Sequence, residues 1–376
     1  MTITRRDFLK ATTATTVGLG VSGYGLGLTS LARGQDQKTD KDYVIKLGYY
    51  NCDHMTGAVV GKDAGIYEEL GLKVNVIGNA KVPESMAAGQ MDVGYIGFVR
   101  VMRAFPKGAP IVVVANNHLG GSYYLVARHD IKEPKDLVGK RLGIGADPEK
   151  NHMEWVEYAT TNGIPVEGKN YQAFSMDDTN EYLALKTGNL DAFMCCDPWG
   201  SMAEYEKTGH IMYTDLRLPS GGWGICCLLS MNNTFVREHP ELAKKMILAH
   251  SRSLQFIYTH PLKSAEIFAA NYSVPLEVGL MTIFKKTNEE DRTMTWDLRK
   301  SNIEETMERY RRTKIFATTP KVEEYVNTEL IDKAGLDDFD IFIKEKVDPV
   351  FPLGMSYADW KKKAYDIEGK KAQAVS

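Results

Sequence analysis

The chain has no block of like charges, and no apolar run of about 20 residues occurs after its opening segment. Its 46 basic and 49 acidic side chains leave a formal charge of −3. A mildly acidic balance without basic clusters argues against nucleic acid as a partner. Neither CxxC nor HxxxH occurs, so no spacing marks a metal site, and no cofactor is expected. The five cysteines are an odd number: Cys52, the pair Cys195-Cys196 in FMCCDPWG, and the pair Cys226-Cys227 in WGICCLLS. In an exported chain at least one thiol therefore stays unpaired unless it binds something. Adjacent cysteines do not bridge each other easily, because the intervening peptide strains the disulfide.

The N-terminus reads as an export signal. Thr4-Arg5-Arg6-Asp7-Phe8-Leu9-Lys10 precedes an uncharged run from Ala11 to Leu31, and Ser30-Leu31-Ala32 offers small residues for cleavage. This pattern predicts a twin-arginine signal peptide over residues 1–32 and a periplasmic or extracytoplasmic destination. Its removal takes away Arg5, Arg6, Lys10 and Asp7, a net +2, so the charge falls from −3 to −5. The rest is long enough for two lobes with a real core.

An internal repeat organises that remainder. Lys46-Leu47-Gly48 returns as Arg141-Leu142-Gly143, 95 residues later, and Gly89-Gln90-Met91-Asp92 returns as Gly188-Asn189-Leu190-Asp191, 99 residues later. Each unit reads as strand, loop, helix, strand, helix, glycine turn, strand, which predicts an α/β protein with two parallel sheets. The expected division is residues 44–122 plus 228–376 for a first lobe and 123–227 for a second. The crossings are Tyr123–Ala127 and Trp223–Leu229, and an amphipathic helical C-terminal region follows Pro240 and packs around the first lobe. In open α/β sheets ligands gather at the carboxyl ends of strands, here a cleft between the lobes.

Several words in this order resemble one family, the solute-binding proteins of ABC importers of the nitrate/sulfonate/taurine type. They are Lys46-Leu47-Gly48-Tyr49, then Gly61-Lys62-Asp63-Ala64-Gly65-Ile66-Tyr67-Glu68-Glu69-Leu70-Gly71-Leu72-Lys73-Val74, Ala88-Gly89-Gln90-Met91-Asp92-Val93-Gly94, Asp136-Leu137-Val138-Gly139-Lys140-Arg141-Leu142-Gly143 and His239-Pro240-Glu241-Leu242-Ala243. The resemblance runs from Val44 to Leu336. It implies a two-lobed type II periplasmic binding protein fold that closes by hinge bending. It also implies a monomer without enzymatic activity that delivers a small-molecule ligand to an ABC permease in the membrane.

Strand ends supply the candidate ligand contacts. Tyr49, Tyr50, Asn51, Cys52 and His54 follow the first strand and offer apolar faces with polar tips. Gly97 permits close backbone approach, and Asn117 and His118 follow the strand from Ile111 to Ala115 in a polar cluster. On the second lobe stand Asp147, Asp197 and Trp199, the family often carrying an acid-proline pair at Asp197-Pro198. Trp223 covers the ligand from the return crossing. The nearest cations are Lys62, Lys81 and Arg100, few enough to favour a small polar or heteroaromatic organic ligand, sulfonate-like or pyrimidine-like, over a bare anion.

Strand alternation turns one cysteine of each pair away, so at most about three thiols face the cleft. Buried thiols acting as small apolar residues, one disulfide, and a soft-metal site built from Cys52, one of each pair and His54 remain open. An enzyme is the alternative to a binder. Tyr50-Asn51-Cys52 is similar to the loop of aromatic sulfinate desulfinases, which implies a nucleophilic Cys52 with His54 or His118 as base.

Overall fold

The computed structural model describes residues 40–369, apart from 79–80, 121–122, 215–216 and 317. The expected signal peptide lies outside the described residues. Ten strands form two sheets. The first contains β1 (Val44–Gly48), β2 (Lys73–Ile77), β3 (Val93–Gly97), β4 (Ile111–Leu119) and β10 (Ile225–Asn232), in the order β2-β1-β3-β10-β4. The second contains β5 (Tyr124–Ala127), β6 (Arg141–Gly143), β7 (Gln172–Phe174), β8 (Ala192–Cys195) and β9 (His210–Tyr213), in the order β7-β6-β8-β5-β9. Two crossings join the sheets, so the fold is the expected two-lobed α/β architecture.

The repeat has a physical basis. In each sheet the strand second from one edge pairs in parallel with both neighbours, β1 with β2 and β3, and β6 with β7 and β8. The aspartate after each glycine turn then fastens that strand. Asp92 accepts from the backbone N–H of Lys46 at 2.9 Å, and Asp191 accepts from that of Arg141 at 3.0 Å. The words Gly-x-x-Asp and basic-Leu-Gly are thus two ends of one hydrogen bond, made once per sheet. Asp191 is tied further by the Arg141 guanidinium at 2.7 Å and 3.0 Å.

The structure departs from expectation in four places. The sheets are mixed and not parallel throughout, because the strands that follow the crossings, β5 and β10, run antiparallel to their neighbours β8, β9 and β3, β4. β4 continues through Asn116, Asn117 and His118, all buried, so these residues belong to the strand and not to the loop after it. β10 pairs with the first sheet from Ile225 onward, so the return crossing ends before Cys226 and the boundary at 227 falls inside a strand. The helical tail is not confined to the first sheet. Arg309, on the helix Lys300–Arg312, grips Glu157 on the helix Met153–Thr161 through Nε at 2.9 Å and 2.8 Å. Lys285 reaches Glu204 at 3.1 Å, on the helix Trp199–Tyr205 of the second sheet. Among the described residues no helix is long and apolar enough to cross a membrane.

Asp191→Ala is expected to cost about 1–3 kcal/mol near neutral pH, because it strips a charged partner from the Arg141 backbone and side chain. The Arg141 hydrogen bonds hold the Asp191 carboxyl below its usual range. The contribution is therefore present above the ordinary carboxylate pKa and is lost as pH falls through the depressed value. Urea unfolding of both proteins should show the gap narrowing on acidification; a gap independent of pH would contradict the assignment.

Candidate functional site

The carboxyl ends of β1, β3 and β8 and the start of β10 enclose a cavity of about 1110 Å³ between the sheets. Of the expected contacts, Tyr50, Asn51, Cys52, His54, Gly97 and Trp199 line it. The other six do not. Tyr49 is buried against Tyr272, ring centroids 6.4 Å apart. Asn117 donates from Nδ2 to the His54 carbonyl at 2.6 Å, and His118 stacks on the His54 ring at 4.2 Å. Both support the loop from beneath because β4 extends further than expected. Asp147 is exposed beside Lys150 at 3.4 Å. Asp197 is fully buried, accepting from Ser201 N at 2.8 Å, Ser201 Oγ at 2.7 Å and Thr282 Oγ1 at 3.2 Å. It fastens helices instead of facing the cleft. Trp223 donates its indole N–H to the Glu290 carbonyl at 2.9 Å beneath the Arg217 guanidinium.

Sequence reading missed most of the cations. Arg100, Arg103 and Arg309 all line the cavity, as do Phe98, Tyr272 and Tyr310. The Arg100 guanidinium lies 4.4 Å from the centre of the Tyr50 ring, a cation–π contact that orients both. The acids Glu154, Asp177 and Asp178 face them from the second sheet. Burial pushes Asp178 up to about 6.

Beneath the first loop sits a buried ammonium. Lys286 Nζ lies 3.1 Å from Asp53 Oδ2, 2.8 Å from Glu290 Oε2 and 2.7 Å from the Tyr124 hydroxyl, which also donates to Glu290. Burial opposes the charge on Lys286, but Glu290 and then Asp53 outweigh it and hold the ammonium. Asp53 also donates its backbone N–H to the Asp197 carbonyl at 2.9 Å, so the loop is tied to both sheets.

The thiols converge on His54. Cys226 and Cys227 Sγ lie 3.4 Å and 3.5 Å from His54 Nδ1, Cys196 Sγ lies at 4.0 Å, and Cys226 and Cys227 are 3.5 Å apart. Cys52 joins Cys196 and His54, with donor atoms within 4.8 Å of one another. Four thiols therefore gather where alternation allows about three. The β8 pair alternates as expected, Cys195 pointing into an apolar cluster with Tyr124 and Phe193. The β10 pair does not, because the ladder slips on both sides of Cys227. Cys227 pairs with His118 while Cys226 has no register partner, a bulge that re-aims side chains. All five thiols are free.

This cluster is electrostatically polarised. Hydrogen bonding from Cys196, with His54 nearby, draws the Cys52 thiol down to about 5 against the effect of burial. The Cys227 hydrogen bond and then His54 hold Cys226 well below the usual thiol range. Burial disfavours the His54 imidazolium, but Asp53 and the Cys226 and Cys52 sulfurs keep its pKa well above the ordinary value. Burial and the His54 charge push His118 down to about 3, so the stacked ring is neutral. Hydrogen bonding to their lowered neighbours, together with burial, pushes Cys196 and Cys227 well up, so the imidazolium stands among two lowered and two raised thiols at the wall of a cavity carrying three arginines.

The model of a family described as "NMT1/THI5 like" matches residues 51–264. The chain belongs to the NMT1/THI5-like family. It is 24% identical over 237 residues to a putative binding protein of Brucella abortus, covering 60% of this chain and 70% of the relative. It is 23% identical over 168 residues to the taurine-binding periplasmic protein of Escherichia coli, covering 44% and 50% of the two chains. Among solved structures it resembles the ligand-binding component of an ABC-type import system from Staphylococcus aureus with zinc bound, at TM-score 0.63, 16% identity and 78% and 99% coverage. The alkanesulfonate-binding protein SsuA from Xanthomonas axonopodis pv. citri, bound to MOPS, matches at TM-score 0.62, 14% identity and 76% and 98% coverage. The desulfurization enzyme DSZB matches at TM-score 0.59, 13% identity and 77% and 98% coverage. These likenesses show the periplasmic binding protein fold.

Lys286→Met should destabilise the chain by about 3–5 kcal/mol, because it leaves Asp53 and Glu290 buried without their cation. Denaturant unfolding measures the loss. A cost below about 1 kcal/mol would show that this ammonium does not hold the loop.

Proposed function

We propose that this chain is the extracytoplasmic solute-binding component of an ABC importer, capturing a small organic anion of the sulfonate class and handing it to a membrane permease. The observation that carries this reading is the composition of the inter-sheet cavity. Its wall combines aromatic faces from Tyr50, Phe98, Trp199, Tyr272 and Tyr310 with the guanidinium groups of Arg100, Arg103 and Arg309. A cavity of about 1110 Å³ far exceeds what a bare inorganic anion fills. Mixed apolar and cationic walls suit a ligand with a carbon skeleton and one anionic end. The similar binding proteins in bacterial import systems, including one for taurine and one for alkanesulfonates, support the same class. Twin-arginine export to the periplasm, a monomeric state and the absence of catalysis belong to this proposal.

One observation favours a second reading. Cys52 is drawn down to about 5 beside an imidazolium, which suits a nucleophile on a fold that also serves a desulfurization enzyme. Catalysis would then depend on the Cys52 sulfur itself, whereas capture would depend on the aromatic and guanidinium wall.

Melting-temperature screening of alkane- and arylsulfonates, followed by calorimetry, tests the two readings together. Binding without turnover is expected. Arg100→Ala should weaken binding by about tenfold or more and Tyr50→Ala by a similar factor, since each also removes the cation–π partner of the other. Turnover of a bound compound that disappears in Cys52→Ser would establish the enzyme instead. Failure of all sulfonates to bind would overturn the ligand class.

A further inference from the structure

We propose that Cys226, Cys227 and His54 form a binding site for one soft, thiophilic metal ion. The proposal stands apart from the importer reading, because it concerns a donor cluster at the cavity wall and not the organic ligand.

Three observations support it. The first is distance. Metal–sulfur bonds of about 2.3 Å and metal–nitrogen bonds of about 2.0–2.1 Å place neighbouring donors of one ion about 3.5–4 Å apart. The separations here are 3.4 Å and 3.5 Å from His54 Nδ1 to Cys226 and Cys227, and 3.5 Å between those sulfurs. The donors already stand close to ligand–ligand spacing without rearrangement of the backbone.

The second observation is hydrogen-bond capacity. Three sulfurs approach the same ring nitrogen, and that nitrogen, protonated or not, makes one directed hydrogen bond at a time. Thiols gathered only for packing have no reason to share one nitrogen. A cation that takes an electron pair from the ligating sulfurs and from the nitrogen accounts for the convergence.

The third is the backbone. The β10 bulge leaves Cys226 without a register partner, and the facing strand β4 slips at Asn117. Asn117 then fixes the His54 carbonyl at 2.6 Å and His118 stacks on the ring at 4.2 Å, so the imidazole is held from two sides. An oriented imidazole and a re-aimed pair of sulfurs are the support that a ligand set needs. Cys52 and Cys226 are only partly buried and face the cavity, which gives an ion an entry path.

The donor set selects the class. Two sulfurs with one nitrogen suit monovalent copper or zinc and disfavour magnesium or calcium, which take oxygen ligands. Asp53 is not part of the set, since Lys286 holds its Oδ2 at 3.1 Å. Metal capture displaces protons: each ligating sulfur that carries one releases it to solvent as its bond to the ion forms, the His54 imidazolium gives up its Nδ1 proton so that the nitrogen can ligate, and no electron is transferred.

Titration of the reduced, metal-free full chain under anaerobic conditions tests the site. Monovalent copper is the probe, competing against a chromophoric chelator, with zinc in a parallel arm. One ion per chain is expected in at least one arm. The double variant Cys226→Ser/Cys227→Ser should weaken capture by at least about 100-fold. Cys195→Ser, on the far side of β8, should leave it unchanged. X-ray absorption of the loaded wild-type chain should show sulfur together with one imidazole nitrogen, and this settles the question even if the double variant does not fold. No capture in either arm, capture that survives the double variant, or a spectrum without an imidazole nitrogen would overturn the proposal. The sulfonate screen is run on metal-free protein, so its outcome leaves this one independent.

Discussion

A single buried ammonium sets the geometry of the cleft. Lys286 is only 1% exposed, and burying a charge is tolerable only when partners replace the water it loses. Its partners come from three separate places: Asp53 in the loop after β1, Glu290 just past its own helical turn, and Tyr124 at the start of β5. Each partner is itself buried, so none can leave without stranding the others. The loop carrying Tyr50 to His54 is therefore fixed by electrostatics from below and by the Asp197 carbonyl from the side. Arg309 with Glu157 makes a similar tie between the helical tail and the second sheet. The C-terminal region is thus a brace between the sheets, and the cavity wall inherits its rigidity.

How much of this the sequence shows depends on the range of the interaction. The repeat was legible because its physics is local to each unit: the glycine turn, the aspartate that follows, and the strand whose N–H it accepts fall within 46 and 50 residues of one another. Periodicity and glycine stops then located most strands and helices. The loop after β1 was legible for the same reason, since a strand end in an α/β unit is a ligand-contacting position whatever surrounds it. Tyr50, Asn51, Cys52 and His54 followed from that rule alone.

The cations and the sulfur cluster were less legible. Lys286 and Arg309 meet partners 233 and 152 residues away, and no spacing rule connects such positions. Their neighbours in sequence, KKTNEED and ERYRRT, are mostly charged or polar, and no pattern in them marks which side chain turns inward. Asp197 misled in the opposite sense: an acid before a proline at a strand end suggests ligand contact, yet its carboxyl is consumed by Ser201 and Thr282. The sulfur cluster needed a fact that composition cannot supply. Alternation is the correct default for a strand, and it holds for Cys195 and Cys196. It fails at Cys226 and Cys227 because the bulge adds one residue to the ladder, and nothing in WGICCLLS marks that insertion.

The same bulge bears on the choice between capture and catalysis. A nucleophilic cysteine works with a base that takes its proton and a sulfur that is then free to attack. Here Cys52 shares its charge with Cys196, and His54 lies among three sulfurs instead of serving one. A sulfur whose lone pair is engaged by a neighbouring S–H is stabilised as an anion, and that stabilisation lowers its nucleophilicity along with its pKa. The cluster is thus better suited to holding an electron-pair acceptor than to delivering a pair once and turning over. Fold alone does not decide between these uses, since binding proteins and a desulfurization enzyme share it. The decision rests on how many sulfurs compete for one imidazole, and in this chain that number favours retention.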